Sequence, residues 1–134
     1  FKFHMNDINA AIGMGNLKGI DNIINKHKDN ADFYNTNLKN VKGVDLLEYN
    51  PYSSYWIYTI YVEKREAFME HMKGKGIIVS RVHERNDKHS CVLKYRAVLP
   101  NLDAASESMI CIPVGWWVTK EDRQYIVDAI KEGW

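Results

Sequence analysis

With 134 residues, 46% of them hydrophobic and 26% charged, the chain has the composition of one folded domain and not of a disordered segment. Eighteen Lys and Arg against seventeen Asp and Glu leave a formal charge of +1, so no basic excess favours non-specific nucleic-acid binding. Two cysteines, Cys91 and Cys111, are too few for a disulfide framework and predict reduced thiols in a cytoplasmic setting, while no apolar run approaches the roughly 20 residues of a membrane-spanning helix.

The chain begins on Phe1, and FKFHMND lacks the apolar stretch of a signal peptide, so it is expected to open inside an already structured body. From Asn6 to about Val41, Ile8, Ile12, Ile20, Ile24, Ala31, Tyr34, Leu38 and Val41 recur at three, four or their sums, the stripe of an α-helix. Asn6 suits the N-cap and Asp7 the first turn. Gly13, Gly15 and Gly19 each cost about 1 kcal/mol relative to Ala in a helix, so they mark either the close approach of another backbone or a break near Gly19. Unbroken, this helix would run on the order of 50 Å, longer than so small a domain is wide, and would link it to another body. Residues 1–42 are therefore assigned to a linking helix and 43–134 to a small domain.

Gly43 ends the helical stripe, residues 44–49 (VDLLEY) read as a short strand, and Asn50-Pro51 marks a turn. Residues 55–63 (YWIYTIYVE) form the strongest predicted strand, with Trp56, Tyr58, Ile60 and Val62 on the core face. A helix over 64–73 turns Ala67, Phe68 and Met72 inward and stops at Gly74 and Gly76; residues 77–82 (IIVSRV) are the next strand. The polar block 83–90 (HERNDKHS) fits neither pattern. A short helix over 101–108 and a strand over 110–114, pushed towards an edge by Pro113, follow. Thr119 and Asp122 resemble a capping box opening a last helix with Tyr125, Ile126, Ala129 and Ile130 inward. The predicted class is α+β: a long N-terminal helix, then a small, mainly antiparallel sheet with helices packed on it.

Two places carry chemistry. Lys2 and His4 stand just before a helix N-terminus, where free N–H groups and the dipole favour an anion such as phosphate; the alternative is a pair of solvent-facing residues. The segment from Arg81 to Ser90 groups cations, amides and carboxylates on a loop: Arg and Lys suit phosphates, and Asn, Asp and His suit sugar hydroxyls. An ordinary solvated loop is the alternative. His83 and His89, six apart with no third ligand, make no recognisable metal site. Cys91 opens an apolar stretch and is expected to be buried, which argues against a Cys/His nucleophile pair. Trp116-Trp117 reads either as packing or as a platform for stacking a sugar. Tyr52, Tyr55 and Tyr58 invite a stacking surface for single-stranded nucleic acid, against which the near-neutral charge weighs.

The stretch FKFHMNDINAAIGMGNLKGID resembles a block of the DegT/DnrJ/StrS sugar aminotransferases, G-[YF]-N-x-R-M-[ST]-[ED]-[IL]-Q-A-A-[IL]-G-x-x-Q-L-x-x-[IL]-[DE], through Phe1, Met5, Asp7-Ile8, Ala10-Ala11-Ile12-Gly13, Leu17 and Ile20-Asp21. YSSYWIYTIYVEKREAFMEHMKGKGIIVSRVH and ICIPVGWWVTKEDRQYIVDAIKEGW are similar to two later blocks of that family in the same order. The resemblance implies the small C-terminal domain of a fold-type-I enzyme that uses pyridoxal 5'-phosphate. Such enzymes transfer an amino group, usually from glutamate, to a keto sugar attached to a nucleotide, and act as homodimers, with neither nucleic acid nor membrane as partner. It also implies that the lysine bonded to the cofactor lies in a preceding large domain. No lysine here takes that role, so no catalytic residue is assigned and the chain alone is expected to be inactive. Lys2 and His4 map to the family's Asn and Arg near the cofactor phosphate of the partner subunit, both changed in identity; His83, Arg85, Asn86 and His89 map to the region that reaches the substrate sugar. A non-catalytic nucleotide-sugar-binding or regulatory module is the alternative, and a nucleic-acid-binding α+β domain a third.

Overall fold

The computed structural model describes residues 4–134. Helix α1 (Asp7–Leu17) starts where Asn6, in extended backbone, accepts the Asn9 N–H at 2.8 Å through its side-chain oxygen. None of its residues is buried: Ile8, Ile12 and Leu17 are 73%, 58% and 67% exposed. It ends before Lys18-Gly19, and α2 (Ile20–Leu38) begins beyond that turn. The single long helix is therefore two. Nothing lies within 4 Å of where a Cβ would stand on Gly13 or Gly15, so no backbone approaches them among the described residues. The helix breaks at Gly19, as the glycine's poor helix propensity allows.

The second half of α2 buries Asn30, Ala31, Tyr34 and Leu38. It packs on α5 (Lys120–Glu132) and on β1 (Val44–Leu46). Between them, β2 (Tyr58–Val62) is the centre of a three-stranded antiparallel sheet in the order β1-β2-β3, with β3 being Met109–Ile112. Val44 faces Val62 and Tyr58 faces Ile112 across it. Along β2 the alternation is clean, with Tyr58, Ile60 and Val62 buried. Helices α3 (Arg65–Gly74) and α4 (Pro100–Ser108) complete the α+β fold. Phe68, Met72, Ile60, Ile110, Val127 and Ile130 are fully buried, each contributing about 1.5–3 kcal/mol. Gly43 turns the chain into β1 at φ +79°, a left-handed conformation that glycine adopts without strain, under the indole of Trp134. That indole donates to the Glu63 carbonyl at 2.7 Å and meets Phe68 edge-on.

Several local expectations are corrected. The strand predicted over 77–82 is not a strand: it meets β3 only at the Ser80–Cys111 bridge, although Ile77 and Val79 are buried. The next hydrogen-bonded position along β3 in that register is Pro113, which has no N–H to give. The central strand begins at Tyr58 and not at Tyr55, because Tyr55 adopts φ +47° and breaks the pleat; Trp56, expected in the core, is 63% exposed. Ala67 is exposed, since α3 turns Phe68 and Met72 inward. In α5 the buried stripe runs through Arg123, Ile126, Val127 and Ile130, leaving Tyr125 at its border, 51% exposed with its hydroxyl donating to the Lys75 carbonyl at 3.0 Å. Cys91 is exposed too, because the apolar stretch it opens winds into a 3-10 helix (Ser90–Tyr95) with no buried residue. The Thr119–Asp122 capping box forms, with both reciprocal bonds at 3.0 Å.

Candidate functional site

The polar loop is ordered by its own charges. After Ser80 the chain leaves β3, and residues Asn86–Lys88 form one turn of 3-10 helix. Arg85 grips Asp87 through two parallel bonds, Nε to Oδ1 at 2.8 Å and Nη2 to Oδ2 at 2.6 Å, and its remaining Nη1 meets Asp103 at the start of α4. This bidentate pair is the strong form of an Arg–carboxylate contact. The Asp87 partner raises the Arg85 pKa further, and the Arg85 guanidinium holds the Asp87 carboxyl below its usual value. Arg85 is thus committed within the loop, its side chain only 10% exposed. Asn86 and His89 are exposed beside it. His83 is exposed and packs edge-on against the indole of Trp56, ring centres 6.1 Å apart.

Next to this loop, Trp56, Ile78, Ser80, Val82, Pro113 and Trp117 line a cleft of about 310 Å³. Trp116 and Trp117 are 50% and 64% exposed and meet edge-to-face. They stand on a turn whose carbonyls are held from below by Asn30, itself 4% exposed. Its amide nitrogen donates to Val114, Gly115 and Val118 at 3.2–3.3 Å, and its oxygen accepts from Arg123 at 3.1 Å. Neither Trp56 nor Asn30 was expected in this place. The signal for Asn30 was its position four residues before Tyr34, a polar amide on the buried stripe of α2.

His4 is exposed just before α1, on an element separate from the loop, and Lys2 lies outside the described residues. The Asn6 carbonyl accepts the Ala10 N–H at 2.9 Å; the first-turn N–H groups of Asp7 and Ile8 precede any intrahelical acceptor and point out of the helix end. The three tyrosines considered for stacking do not share a surface: Tyr52 is 93% exposed, and Tyr58 is 4% exposed, donating to Asn35 at 2.8 Å. Among the described residues, no group of three or more His, Cys, Asp or Glu side chains is placed to hold a metal ion, and no helix is long and apolar enough to cross a membrane.

The chain is 40% identical to the sugar aminotransferase CalS13 from Micromonospora echinospora, whose structure superimposes with a TM-score of 0.96 over 100% of this chain and 37% of that one. It is 43% identical to AtS13 from Actinomadura melliaura, TM-score 0.95, over 100% of this chain and 36% of that one. An 80-residue stretch, 58% of the chain and 22% of the relative, is 29% identical to GDP-perosamine synthase of Escherichia coli O157:H7. The chain thus spans little more than a third of the length of these structures. Residues 1–131 match the DegT/DnrJ/EryC1/StrS aminotransferase family, and the chain belongs to that family.

Proposed function

We propose that the chain is the C-terminal part of a pyridoxal-phosphate-dependent aminotransferase that aminates a nucleotide-linked keto sugar, acting in a homodimer with glutamate as amino donor. The observation that most supports this is α1, whose Ile8, Ile12 and Leu17 are all more than half exposed. Each forgoes about 1.5–3 kcal/mol of burial, which favours a helix made to lie on another body. In this reading that body is a large domain carrying the lysine bonded to the cofactor. Residues 1–42 form the link, with the second half of α2 seated on the small domain, and 43–134 form that domain.

The donors at the start of α1 fit the phosphate end of pyridoxal phosphate. His4 is exposed there, the Asp7 and Ile8 amides point outward, and the Asn6 side chain is already engaged with Asn9. Lys2 would supply a point cation and His4 a single ring N–H, without the fork of an arginine. When bound, the cofactor supplies the electron sink for amino transfer. His83, Asn86 and His89 would contact the nucleotide-linked substrate, while Arg85, held by Asp87 and Asp103, keeps the loop that carries them in place.

The test is made on the full-length protein. Lys2→Ala and His4→Ala are expected to weaken cofactor retention more than thermal stability, and unchanged cofactor affinity would remove them from the site. The 134-residue chain mixed with pyridoxal phosphate and borohydride is expected to give no stoichiometric adduct on a single lysine; such an adduct would overturn its inactivity alone. A full-length protein that binds nucleotide sugars but transfers no amino group from glutamate would favour the non-catalytic module.

A further inference from the structure

We propose that the cleft lined by Trp56 and Trp117 receives the sugar ring of the nucleotide-linked substrate, with the diphosphate directed over the cationic loop that borders it. This rests on the function proposed above and adds which part of the substrate is held, and by which side chains. The cleft, at about 310 Å³, is at the small end of the roughly 300–1,000 Å³ found for ligand sites, which suits one ring and not a whole nucleotide sugar. Two indoles, 63% and 64% exposed, offer faces on which the C–H side of a pyranose can stack.

Both indoles are held in place by features that core packing does not require. Tyr55 takes a left-handed backbone at φ +47°, which turns Trp56 out of the sheet; such a conformation in a non-glycine residue costs about 1–3 kcal/mol. Trp117 lies over Gly115 so closely that any Cβ there would collide with its ring. The turn between them closes with the Val118 N–H on the Gly115 carbonyl at 2.9 Å and is tied from beneath by the buried Asn30 amide. Charge indicates the direction of the rest of the ligand. Residues 81–96 contain five Lys and Arg against two carboxylates, a formal +3 that Asp103, paired with Arg85, lowers to +2, in a chain whose total is +1. Ser80 and Val82 line the cleft, and His83, on Trp56, stands where cleft meets loop. An anionic ligand with an apolar-faced ring matches this division.

Titration calorimetry on the full-length holoenzyme tests it, with dTDP-glucose and GDP-mannose as probes, each compared with its nucleoside diphosphate. In the unsubstituted protein at least one sugar-bearing probe is expected to bind more tightly than its diphosphate. Trp56→Ala and Trp117→Ala are each expected to weaken that probe roughly tenfold, about 1.4 kcal/mol, with diphosphate affinity unchanged and Trp→Phe retaining most of the binding. A sugar advantage that survives both alanine substitutions overturns the cleft alone. Equal losses for probe and diphosphate would also overturn it, since the base and not the sugar would then be stacking. If no probe and no diphosphate binds the unsubstituted protein, the nucleotide-sugar function fails and the cleft with it.

Discussion

Replacing Asn30 by Asp changes a side-chain NH2 to an oxygen without opening a cavity, which isolates what the buried amide does for the tryptophan turn. Its two hydrogens serve three carbonyls, those of Val114, Gly115 and Val118, at 3.2–3.3 Å. The variant keeps the acceptor for Arg123 but loses both donors, and at 4% exposure no bulk water replaces them. Two lost bonds at about 1 kcal/mol each, plus the cost of facing an oxygen to unpaired carbonyls and less the attraction of Arg123, give about 2–3 kcal/mol. In a chain of this length that is a fall in melting temperature of roughly 6–12 °C, measured by circular dichroism on the 134-residue chain. Asp29→Asn is the control. It removes the carboxylate that meets the buried Arg123 at 2.9 Å while leaving the Asn30 amide on its three carbonyls, so its cost measures the Arg123 pair and not the turn. An Asn30→Asp protein melting within about 2 °C of the unsubstituted chain would refute the reasoning and leave the turn to its own backbone bond.

Thr119→Ala removes one half of the capping box and is expected to lower stability by about 1 kcal/mol, read from urea unfolding. Gly115→Ala should expel the Trp117 ring, shifting tryptophan emission to the red; an unchanged spectrum would show that the ring is not seated there. The Asp87 carboxyl is held below its ordinary value first by its bond to Arg85, so the stabilisation it gives is present above that ordinary value and lost as pH falls through the lowered one. NMR of residues 85–96 is therefore expected to show the loop unchanged from neutrality to about pH 4.5 and disordering only in stronger acid, with disordering near pH 6 as the contrary result. Finally, a triple Ile8→Gln, Ile12→Gln, Leu17→Gln variant should leave the melting temperature of the 134-residue chain unchanged, as these side chains bury nothing within it; a large fall would mean that α1 packs on this domain.

What the sequence made legible was whatever depends on short-range pattern. The stripe Ala31, Tyr34, Leu38 and the alternation Tyr58, Ile60, Val62 are core in the structure, because burial of one face produces those periods. Caps at Asn6 and Thr119 were readable because side-chain oxygen and backbone N–H meet within three residues. Reading failed where a partner distant in the chain decides. Whether 77–82 could form a ladder depended on Pro113, more than thirty residues on, lying at the next pairing position of β3. In the candidate site, the loop was recognisable as polar and charged. That Arg85 also meets Asp103 follows from α4 coming back beside the loop, which no local spacing encodes.

These failures are not scattered evenly. Tyr55 in the left-handed region, Trp56 outside the core, Pro113 ending the ladder and Asn30 on an apolar stripe all border or support one cleft. Lys64, left-handed at φ 48° before α3, has an ordinary role as the turn from β2 into that helix, and the break at Gly19 and the exposed Ala67, Tyr125 and Cys91 do not line the cleft. Natural sequences agree with their fold at most positions, and the places where local preference is overridden are those where binding or catalysis competes with folding. By that reasoning the stopped ladder does more than shorten a strand. With Pro113 giving no N–H to Ile78, residue 78 stays out of the sheet at 86% exposure and lines the cleft with the two indoles. Continuing the ladder there by Pro113→Val would extend the sheet and draw Ile78 in. The expected result is a more stable chain with a narrower cleft, and a loss of the sugar probe's advantage over its nucleoside diphosphate. Gaining stability with sugar binding intact would separate the broken strand from the site.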